Sequence, residues 1–314
     1  MIESIKALAG AFAVSGCEQA MARRVLELAA PYGTCSQDAM GNVTLHRPGA
    51  GRKVMLSAHL DAAGLIATET EGEKVRVGLV GAVEPGQWLG QQVQFAGGAP
   101  GVVCADAGSK EVTADTLFID TLGQTVLPGD AAQCPAGLRQ VQSWIVAPQL
   151  ANLAGCAVVL EAVKRLRDSS CDLYAVFTVQ KELGSRGAGP AAFAVQPEMA
   201  VVVDGVAVLD GPAAGKSEVL CGKGPVLRLL DRRAVSHPEA AAALGQAAAH
   251  AEIACQRDVS QGDATDAGAI AAAGGGVKAA MLAFPVRGLH TLQERVCLKD
   301  LEQCAALLAA AFGG

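Results

Sequence analysis

The sequence predicts an α/β protein in which a central mixed sheet, flanked by helices, is interrupted by a small all-β domain. Towards both ends of the chain, short apolar runs typical of buried parallel strands alternate with amphipathic helical patterns. Between residues 68 and 146, strand-length runs alternate with turns that contain glycine or proline, and hardly any helical period is visible. We therefore expect residues 1–67 and 147–314 to form the α/β domain and residues 68–146 the inserted β domain.

The first part of the chain begins with helical patterns and ends with a buried strand. Residues 2–31 carry apolar side chains at helical spacing, broken near Ser15 and Gly16. Residues 54–58 form a short apolar run with the composition of a buried parallel strand. His59 and Asp61 follow that strand at its carboxyl end, where open α/β sheets place their ligands. These two residues are therefore candidates for a functional site.

The remaining elements follow from the same patterns. In the predicted β domain the strand-length runs cover residues 75–80, 92–95, 101–104 and 117–120. Beyond residue 152 we expect helices at residues 155–167, 240–251 and 298–312 and strands at residues 173–179, 199–203 and 277–284. The alternation of these elements indicates helices packed on both faces of a sheet.

Composition and charge exclude several classes of function. The chain has 314 residues and is 51% hydrophobic but only 4% aromatic, and its net charge is −6. No run of lysine and arginine is longer than two, so a nucleic-acid partner is not expected. No apolar stretch approaches the roughly 18 residues of a membrane span, and the N-terminal residues, which include Glu3, are a poor signal peptide.

The ten cysteines are spread along the chain and never occur as Cys-x-x-Cys. A disulfide scaffold would be shorter and denser in cysteine, and a structural zinc site would pair its cysteines closely. We interpret these residues as small buried hydrophobic side chains in a reducing compartment, which predicts a cytoplasmic protein.

Several potential metal ligands are scattered through the chain. A hydrolase with two metal ions needs imidazole and carboxylate ligands, a carboxylate that bridges the ions, and a general base near the bound water. His59, Lys181-Glu182, Asp204 and His290 include suitable types but are far apart in sequence. Periodicity alone does not bring them together.

A family resemblance does bring them together. Over nearly its whole length the chain resembles the glutamyl and deblocking aminopeptidases of the tetrahedral-aminopeptidase family. The order and spacing of the matching segments are specific, although single segments are weak. The segments are Ser15-Gly16-Cys17-Glu18, Asp38 with Gly41-Asn42, Ala58-His59-Leu60-Asp61 with Gly64, Glu84-Pro85-Gly86, 117–120, Gly155-Cys156, 179–188, Val203-Asp204, Lys223-Gly224-Pro225, Thr265-Asp266-Ala267 and His290.

The resemblance implies a zinc-peptidase-like fold and assigns a role to each candidate residue. His59 would bind the first ion, with Asp61 orienting its imidazole, and Asp204 would complete that site. Glu182 and His290 would bind the second ion. The ions would be zinc or cobalt. The family builds large assemblies from dimers, which implies that this chain forms a homo-oligomer, alone or together with an active paralogue.

The sequence departs from the family pattern at three positions. The bridging aspartate falls on Ala151, whose methyl group cannot bind a metal, and the neighbouring Asn152 offers only a neutral, weaker oxygen. The general base falls on Lys181, which has no free lone pair while protonated. Ala62 replaces the acid that usually follows the His-x-Asp segment. Lys181 could be a simple surface lysine, but its place between a buried strand and Glu182 favours a charge inside the site.

Three hypotheses of function follow. The chain is a metallo-aminopeptidase-like protein, catalytically impaired, that binds peptides or serves as an assembly subunit, with a divalent metal at reduced occupancy at most. Alternatively, it is an active aminopeptidase that uses a single metal or an unusual base, or an enzyme remodelled for another hydrolytic reaction. A nucleotide is not expected, because the glycines at 184, 187 and 189 are not followed by Gly-Lys-Ser/Thr.

Overall fold

The computed structural model describes residues 1–166, 169–209 and 218–313. Within these ranges the chain forms eight α-helices and seventeen β-strands. The helices are α1 (Ile2–Leu8), α2 (Gln19–Ala29), α3 (Pro85–Trp88), α4 (Leu150–Arg165), α5 (Ala188–Val195), α6 (Pro238–His250), α7 (Ala267–Ala271) and α8 (Leu298–Phe312). No helix in these ranges is long and apolar enough to cross a membrane.

The strands belong to two separate sheets. Those of the large sheet are β1 (Thr34–Gln37), β2 (Val43–Arg47), β3 (Lys53–His59), β10 (Arg139–Val141), β11 (Trp144–Ala147), β12 (Asp172–Thr178), β13 (Met199–Val208), β14 (Val226–Leu230), β15 (Gln256–Val259), β16 (Lys278–Arg287) and β17 (Glu294–Cys297). Those of a closed barrel are β4 (Gly64–Glu71), β5 (Lys74–Val80), β6 (Gln92–Phe95), β7 (Pro100–Ala105), β8 (Leu117–Asp120) and β9 (Ala131–Gln133). The predicted fold class, a mixed sheet flanked by helices with a small all-β unit, is confirmed.

The centre of the large sheet is parallel and buried on both faces. Strands β12, β3, β13 and β16 are neighbours in that order and run parallel. Alternate residues of β3 enter different cores: Val54 and Leu56 pack with α1, α2, α4, α6 and α8, whereas Met55 packs with α5 and α7. Burial on two faces explains why these strands are continuous apolar runs in the sequence.

Helix α4 packs unusually close to the sheet. A Cβ atom at Gly155 would lie only 3.2 Å from the carbonyl oxygen of Val203 and 3.5 Å from the Cβ of Ala58. Glycine at this position therefore lets the helix lie directly against β3 and β13. The first turn of α4, which carries Ala151, is thereby held beside the carboxyl ends of those strands.

The barrel has a core of its own and closes on itself. Leu65 of β4 pairs with Ala132 of β9, so the strands by which the chain enters and leaves the barrel are neighbours. Its core is formed by apolar residues of its own strands and by Trp88, with Leu292 from outside packed against it. An independent core and a closed hydrogen-bond network are the properties of a separate folding unit.

The change of sheet does not fall at the predicted boundaries. Strand β4 already begins at Gly64 and continues past residue 68 to Glu71, pairing with β5 on both sides of a register shift between Ala67 and Glu69. At the other end, β10 and β11 form a hairpin that joins the large sheet through β17. The division into domains at residues 68 and 146 stays a prediction. Helix α4 starts earlier than expected, at Leu150, and the predicted helix end at Arg167 lies outside the described residues.

Candidate active site

The candidate residues meet at one edge of the large sheet. His59 is the last residue of β3, Lys181 and Glu182 follow β12, and His290 follows β16, while Asp204 lies within β13. Because these strands are parallel, their carboxyl ends share an edge. All five side chains line a single pocket, and Ala151 lines it too. Their individual roles stay predictions.

The turn that carries Lys181 and Glu182 is built by buried side chains from the first part of the chain. The N–H groups of Lys181 and Glu182 each donate to one carboxylate oxygen of Asp61, at 2.9 Å in both cases. Asn42 accepts from the N–H of Val179 at 2.9 Å and donates to the carbonyl of Gly187 at 3.1 Å. Several side chains therefore fix the backbone of this turn before any ligand arrives.

The ammonium group of Lys181 lies among the predicted metal ligands. Its Nζ is 3.1 Å from Oε1 of Glu182 and 3.6 Å from Oδ2 of Asp204. The side chain of Lys181 is only 10% exposed, so these carboxylates replace water as its partners. Lys181 is thus a charge inside the site and not a surface lysine.

Burial and charge act in opposite directions on the pKa values of this cluster. Burial alone would lower the pKa of Lys181, but Asp204 and Glu182 reverse the effect and raise it above its ordinary value. Burial alone would raise the pKa of Asp204, but Lys181 and His59 hold it well below its ordinary value. Lysine and aspartate are therefore a charged pair at neutral pH.

The His59 imidazole is oriented by Asp61, although chiefly by its main chain. Nδ1 of His59 is 2.9 Å from the carbonyl oxygen of Asp61 and 3.5 Å from its carboxylate Oδ1. Nε2 faces the pocket, where Asp204 Oδ1 lies 3.4 Å away. Burial and the Lys181 ammonium lower the pKa of His59, but Asp204 and Asp61 together raise it to about 10.

His290 has a partner that the sequence did not predict. Its Nε2 lies 3.1 Å from Oδ1 of Asp263, so this nitrogen is already in an ion-pair contact. Asp263 precedes the matching segment Thr265-Asp266-Ala267 by two residues. This short distance in sequence is the one signal that could have marked Asp263 as a residue of the site. The side chain that Asp263 contacts, however, depends on the conformation of the loop between β15 and α7.

Glu294 is a second residue of the site that was not predicted from the sequence. It is 3% exposed, and its two carboxylate oxygens accept the N–H groups of Ala151 and His290, each at 2.8 Å. Burial raises its pKa, although these backbone donors partly counteract the rise. Glu294 therefore connects the first turn of α4 to the loop that carries His290.

Apolar side chains form a wall of the pocket. It is formed by Trp88 from the barrel and by Leu289 and Leu292 from the loop after β16, with Ala62 and Ala63 beside them. Trp88 is 3% exposed and belongs to the barrel core, so both structural units contribute to the site. Such a wall suits an apolar side chain.

Comparison with known proteins identifies the family. A model of the family described as M42 glutamyl aminopeptidase matches residues 41–307. The chain belongs to this family. It is 31% identical to a putative aminopeptidase of Acetivibrio thermocellus, over 99% of this chain and 98% of the relative.

Solved structures of similar proteins have the same fold as this chain. An aminopeptidase from the archaeon Desulfurococcus kamchatkensis is 29% identical and has a TM-score of 0.94, with 99% of this chain and 94% of that chain covered. The TET1 peptidase of Pyrococcus horikoshii is 27% identical with a TM-score of 0.89, and 99% of each chain is covered. That protein is described as assembling into a tetrahedron or a large octahedral shell. The whole chain thus has the fold of M42 aminopeptidases.

The side chains present do not fit a centre with two metal ions of the kind that the family resemblance implies. Ala151 offers no donor at the bridging position, and the Lys181 ammonium contacts both Glu182 and Asp204. Among the described residues, no group of three histidine, cysteine, aspartate or glutamate side chains is arranged to hold a metal ion. In this M42 chain the Lys181 ammonium places a positive charge directly between Glu182 and Asp204.

Asn152 does not compensate for the missing aspartate. Its amide nitrogen donates to the carbonyl of Leu60 at 2.7 Å, which ties α4 to the segment after β3. Its oxygen is buried at the pocket and forms no hydrogen bond within the described part of the chain. A single neutral oxygen does not replace a carboxylate between two dications.

Proposed function

We propose that this M42 aminopeptidase relative binds the N-terminal part of peptides in the pocket but hydrolyses them slowly or not at all. One observation carries the proposal: the Lys181 ammonium occupies the space between Glu182 and Asp204. A lysine that stays protonated cannot accept a proton from water, and loss of a general base typically costs about 10²–10⁴-fold in rate.

Electrostatics also supports the proposal. An ammonium group 4 Å from a cation is repelled by roughly 4 kcal/mol per unit charge at an effective dielectric constant of about 20. With Ala151 and Lys181 in place of the two carboxylates that the family resemblance implies, the site has two negative charges fewer and one positive charge more. We propose that zinc or cobalt binds at low occupancy and that the cluster stays folded because Lys181 neutralises its carboxylates.

A second candidate is an aminopeptidase that works with one metal ion. It is favoured by His59, whose Nε2 is buried at the pocket with no hydrogen bond among the described residues and with Asp204 3.4 Å away. An imidazole nitrogen and a carboxylate side by side could begin a site for a single ion. Such a site would still have to tolerate Lys181 beside Asp204.

We also propose that the chain forms an oligomer, either of identical copies or with an active paralogue. The similar TET1 peptidase is described as forming large shells. The barrel with its separate core would then be an inserted domain that can contribute to assembly without disturbing the large sheet. A cytoplasmic location stays a prediction.

The test restores both missing groups at once. The double variant Ala151→Asp, Lys181→Glu is compared with the native chain for metal content, by elemental analysis, and for turnover of a panel of aminoacyl-anilides with added zinc or cobalt. We expect less than one equivalent of metal and little turnover in the native chain. In the double variant we expect about two equivalents and at least a 10²-fold faster turnover.

Two control variants test which groups a gain in metal binding and turnover requires. Lys181→Glu alone should not give a two-ion site, because the bridging group is still missing. Adding Asp204→Ala to the double variant should abolish any gain. If the native chain binds two equivalents of metal and cleaves the panel at a rate that the double variant does not improve, the proposal of an impaired site is wrong.

A further inference from the structure

The pocket continues outwards into a second, more exposed pocket. Ala82, Lys181, Glu182, Asp263 and His290 line both, so the two form one cleft. The outer part, which we call the outer pocket, is additionally lined by two consecutive arginines, Arg232 and Arg233, together with Gly184, Ser185 and Ala264. The first pocket, which we call the inner pocket, thus has an apolar wall beside its charged residues, and the outer pocket adds two arginines.

The two arginines lie on a turn that is held rigidly. The buried carboxylate of Asp231 accepts from the N–H of Arg233 at 2.7 Å and from that of Ala234 at 2.6 Å. Its other oxygen accepts from the N–H and hydroxyl of Thr265, at 2.7 and 2.8 Å. The N–H of Arg232 donates to the carbonyl of Asp263 at 3.0 Å. The backbone of this turn is thus fixed relative to the active-site loop.

The guanidinium groups are not neutralised within the described residues. Arg232 donates to the carbonyl of Gly262 at 3.3 Å, and neither arginine has a carboxylate in ion-pair contact there. The acids that line the outer pocket have other partners: Glu182 contacts Lys181, and Asp263 contacts His290. The outer pocket therefore carries unbalanced positive charge in a chain whose net charge is −6.

Gly184 makes the space beside Arg233. It has a φ of +102°, which favours glycine, and a Cβ atom built there would lie 3.5 Å from Nη1 of Arg233. A larger side chain would meet the guanidinium and reduce the room for a ligand. The arginine pair can instead present its planar groups to a carboxylate, whose two oxygens match the N–H groups of a guanidinium in geometry.

We propose that the outer pocket binds a carboxylate of a peptide whose first residue occupies the inner pocket. This inference rests on the proposed function, because it needs a peptide in the cleft. The first side chain would lie against Trp88, Leu289 and Leu292, which suits an apolar residue. The carboxylate could be an acidic side chain after the first residue or the free C-terminus of a very short peptide. Both present the same group to Arg232 and Arg233.

Calorimetric titration of the EDTA-treated chain with matched peptides tests whether the outer pocket binds a carboxylate. The first pair is Leu-Glu-Ala amide and Leu-Gln-Ala amide, and the second is Leu-Ala as free acid and as amide. We expect about tenfold tighter binding of the carboxylate member in at least one pair, as a charge-assisted hydrogen bond gives. The pair that shows the preference identifies the source of the carboxylate. Added salt should reduce the preference.

Variants of the two arginines test whether they cause the preference for the carboxylate peptides. In Arg232→Gln, Arg233→Gln the preference should fall at least fivefold while the neutral peptides bind as before. Arg257→Gln, which changes an exposed arginine outside the cleft, should keep the full preference. All these arginines are exposed, so the variants should fold normally.

The outcomes separate this inference from the proposed function. If peptides bind but carboxylate and neutral members bind equally, or if the double arginine variant keeps the preference, the inference is wrong and peptide binding stands. If the native chain turns out to hydrolyse these peptides, the impaired-site proposal fails, and the ratio of kcat/KM within each pair decides the inference instead. If no peptide binds, both fail.

Discussion

At the scale of single residues, one ammonium group of this M42 chain is the cation shared by two carboxylates of the site. Glu182 and Asp204 would repel each other in an empty pocket, and burial would penalise both charges. The Lys181 ammonium lies within 4 Å of both, at 3.1 and 3.6 Å. A lysine that on the proposed function costs catalysis can therefore also keep the fold stable, which would allow the rest of the site to persist.

Removing this ammonium should destabilise the protein. In Lys181→Met, two buried carboxylates lose their cation, and breaking a buried ion pair typically costs about 3–5 kcal/mol. We expect a loss of about 3 kcal/mol in the free energy of unfolding at pH 7, measured by urea denaturation with EDTA present. Lys110→Met, at an exposed position in the barrel, should change stability by less than about 0.5 kcal/mol.

The difference between Lys181→Met and the native chain should depend on pH. Asp204 has a folded pKa well below its ordinary value, so its contribution is present above the ordinary pKa and is lost as pH falls towards the folded pKa. The deficit of the variant should therefore be full at pH 7 and should shrink below about pH 4. A deficit that is equally large at pH 3 and pH 7 would mean that lost packing, and not charge, causes it.

At the scale of elements, the turn after β12 depends on side chains far away in sequence. Asn42, Asp61 and Glu18 each accept hydrogen bonds from its backbone. Two of its non-glycine residues, Gln180 and Ser185, have φ values of 55° and 59°, in the left-handed region. Such a conformation costs energy and persists only where surrounding contacts hold it. The N-terminal segments therefore keep Lys181 and Glu182 in position.

Asn42→Ala should loosen this turn. The substitution leaves the N–H of Val179 without its partner, and a buried donor left unpaired costs about 1–3 kcal/mol. The carbonyl of Gly187 loses one of two donors, because it still accepts from the N–H of Ala191. We expect a loss of about 1–3 kcal/mol in stability and faster hydrogen exchange at the amides of Lys181 and Glu182. Gln37→Ala removes an exposed hydrogen bond to Gly41 in the same hairpin and should leave exchange in the turn unchanged.

At the scale of the whole molecule, the barrel is connected to the large sheet in a way that favours independence. The chain enters through β4 and leaves through β9, and these strands pair with each other. The barrel contributes Trp88 to the pocket, so its position relative to the sheet also shapes the ligand site. Proposed assembly and proposed peptide binding thus meet in one structural unit.

Excising the barrel should leave two folded parts. Residues 64–133, expressed alone, should give a β-type circular dichroism spectrum and a cooperative thermal transition, because their core is their own. The chain in which a short Gly-Ser linker replaces these residues should stay folded but, by light scattering, should form a smaller assembly than the native chain. A non-cooperative melt of the isolated barrel would contradict the proposed domain.

The sequence predicts the fold better than it predicts the site. Continuous apolar runs such as the one in β3 identify buried strands because burial on both faces leaves no polar positions. The last helix was predicted with its observed bounds, Leu298–Phe312, since its apolar stripe ends with the chain. Strand β13 was predicted too short, because Asp204 and Gly205 interrupt its apolar run although the strand passes through them to Val208.

The contacts within the site could not be predicted from the sequence, for a physical reason. Family resemblance supplied His59, Lys181, Glu182, Asp204 and His290, which meet in one pocket. It did not supply the pairing of His290 with its acid or the apolar wall, because these arise where loops from different units meet. Long-range contacts of this kind have no periodic pattern in the chain.

The hydrogen bonds of Glu294 have a consequence for the history of the chain. Because this carboxylate holds the backbone of Ala151 and of His290, the framework around the missing bridging group does not depend on the group itself. A point change in the codon for alanine can give aspartate, and one in the codon for lysine can give glutamate. Two point changes therefore separate this chain from the residues that the family resemblance implies at positions 151 and 181, on a backbone that Glu294 already holds in place.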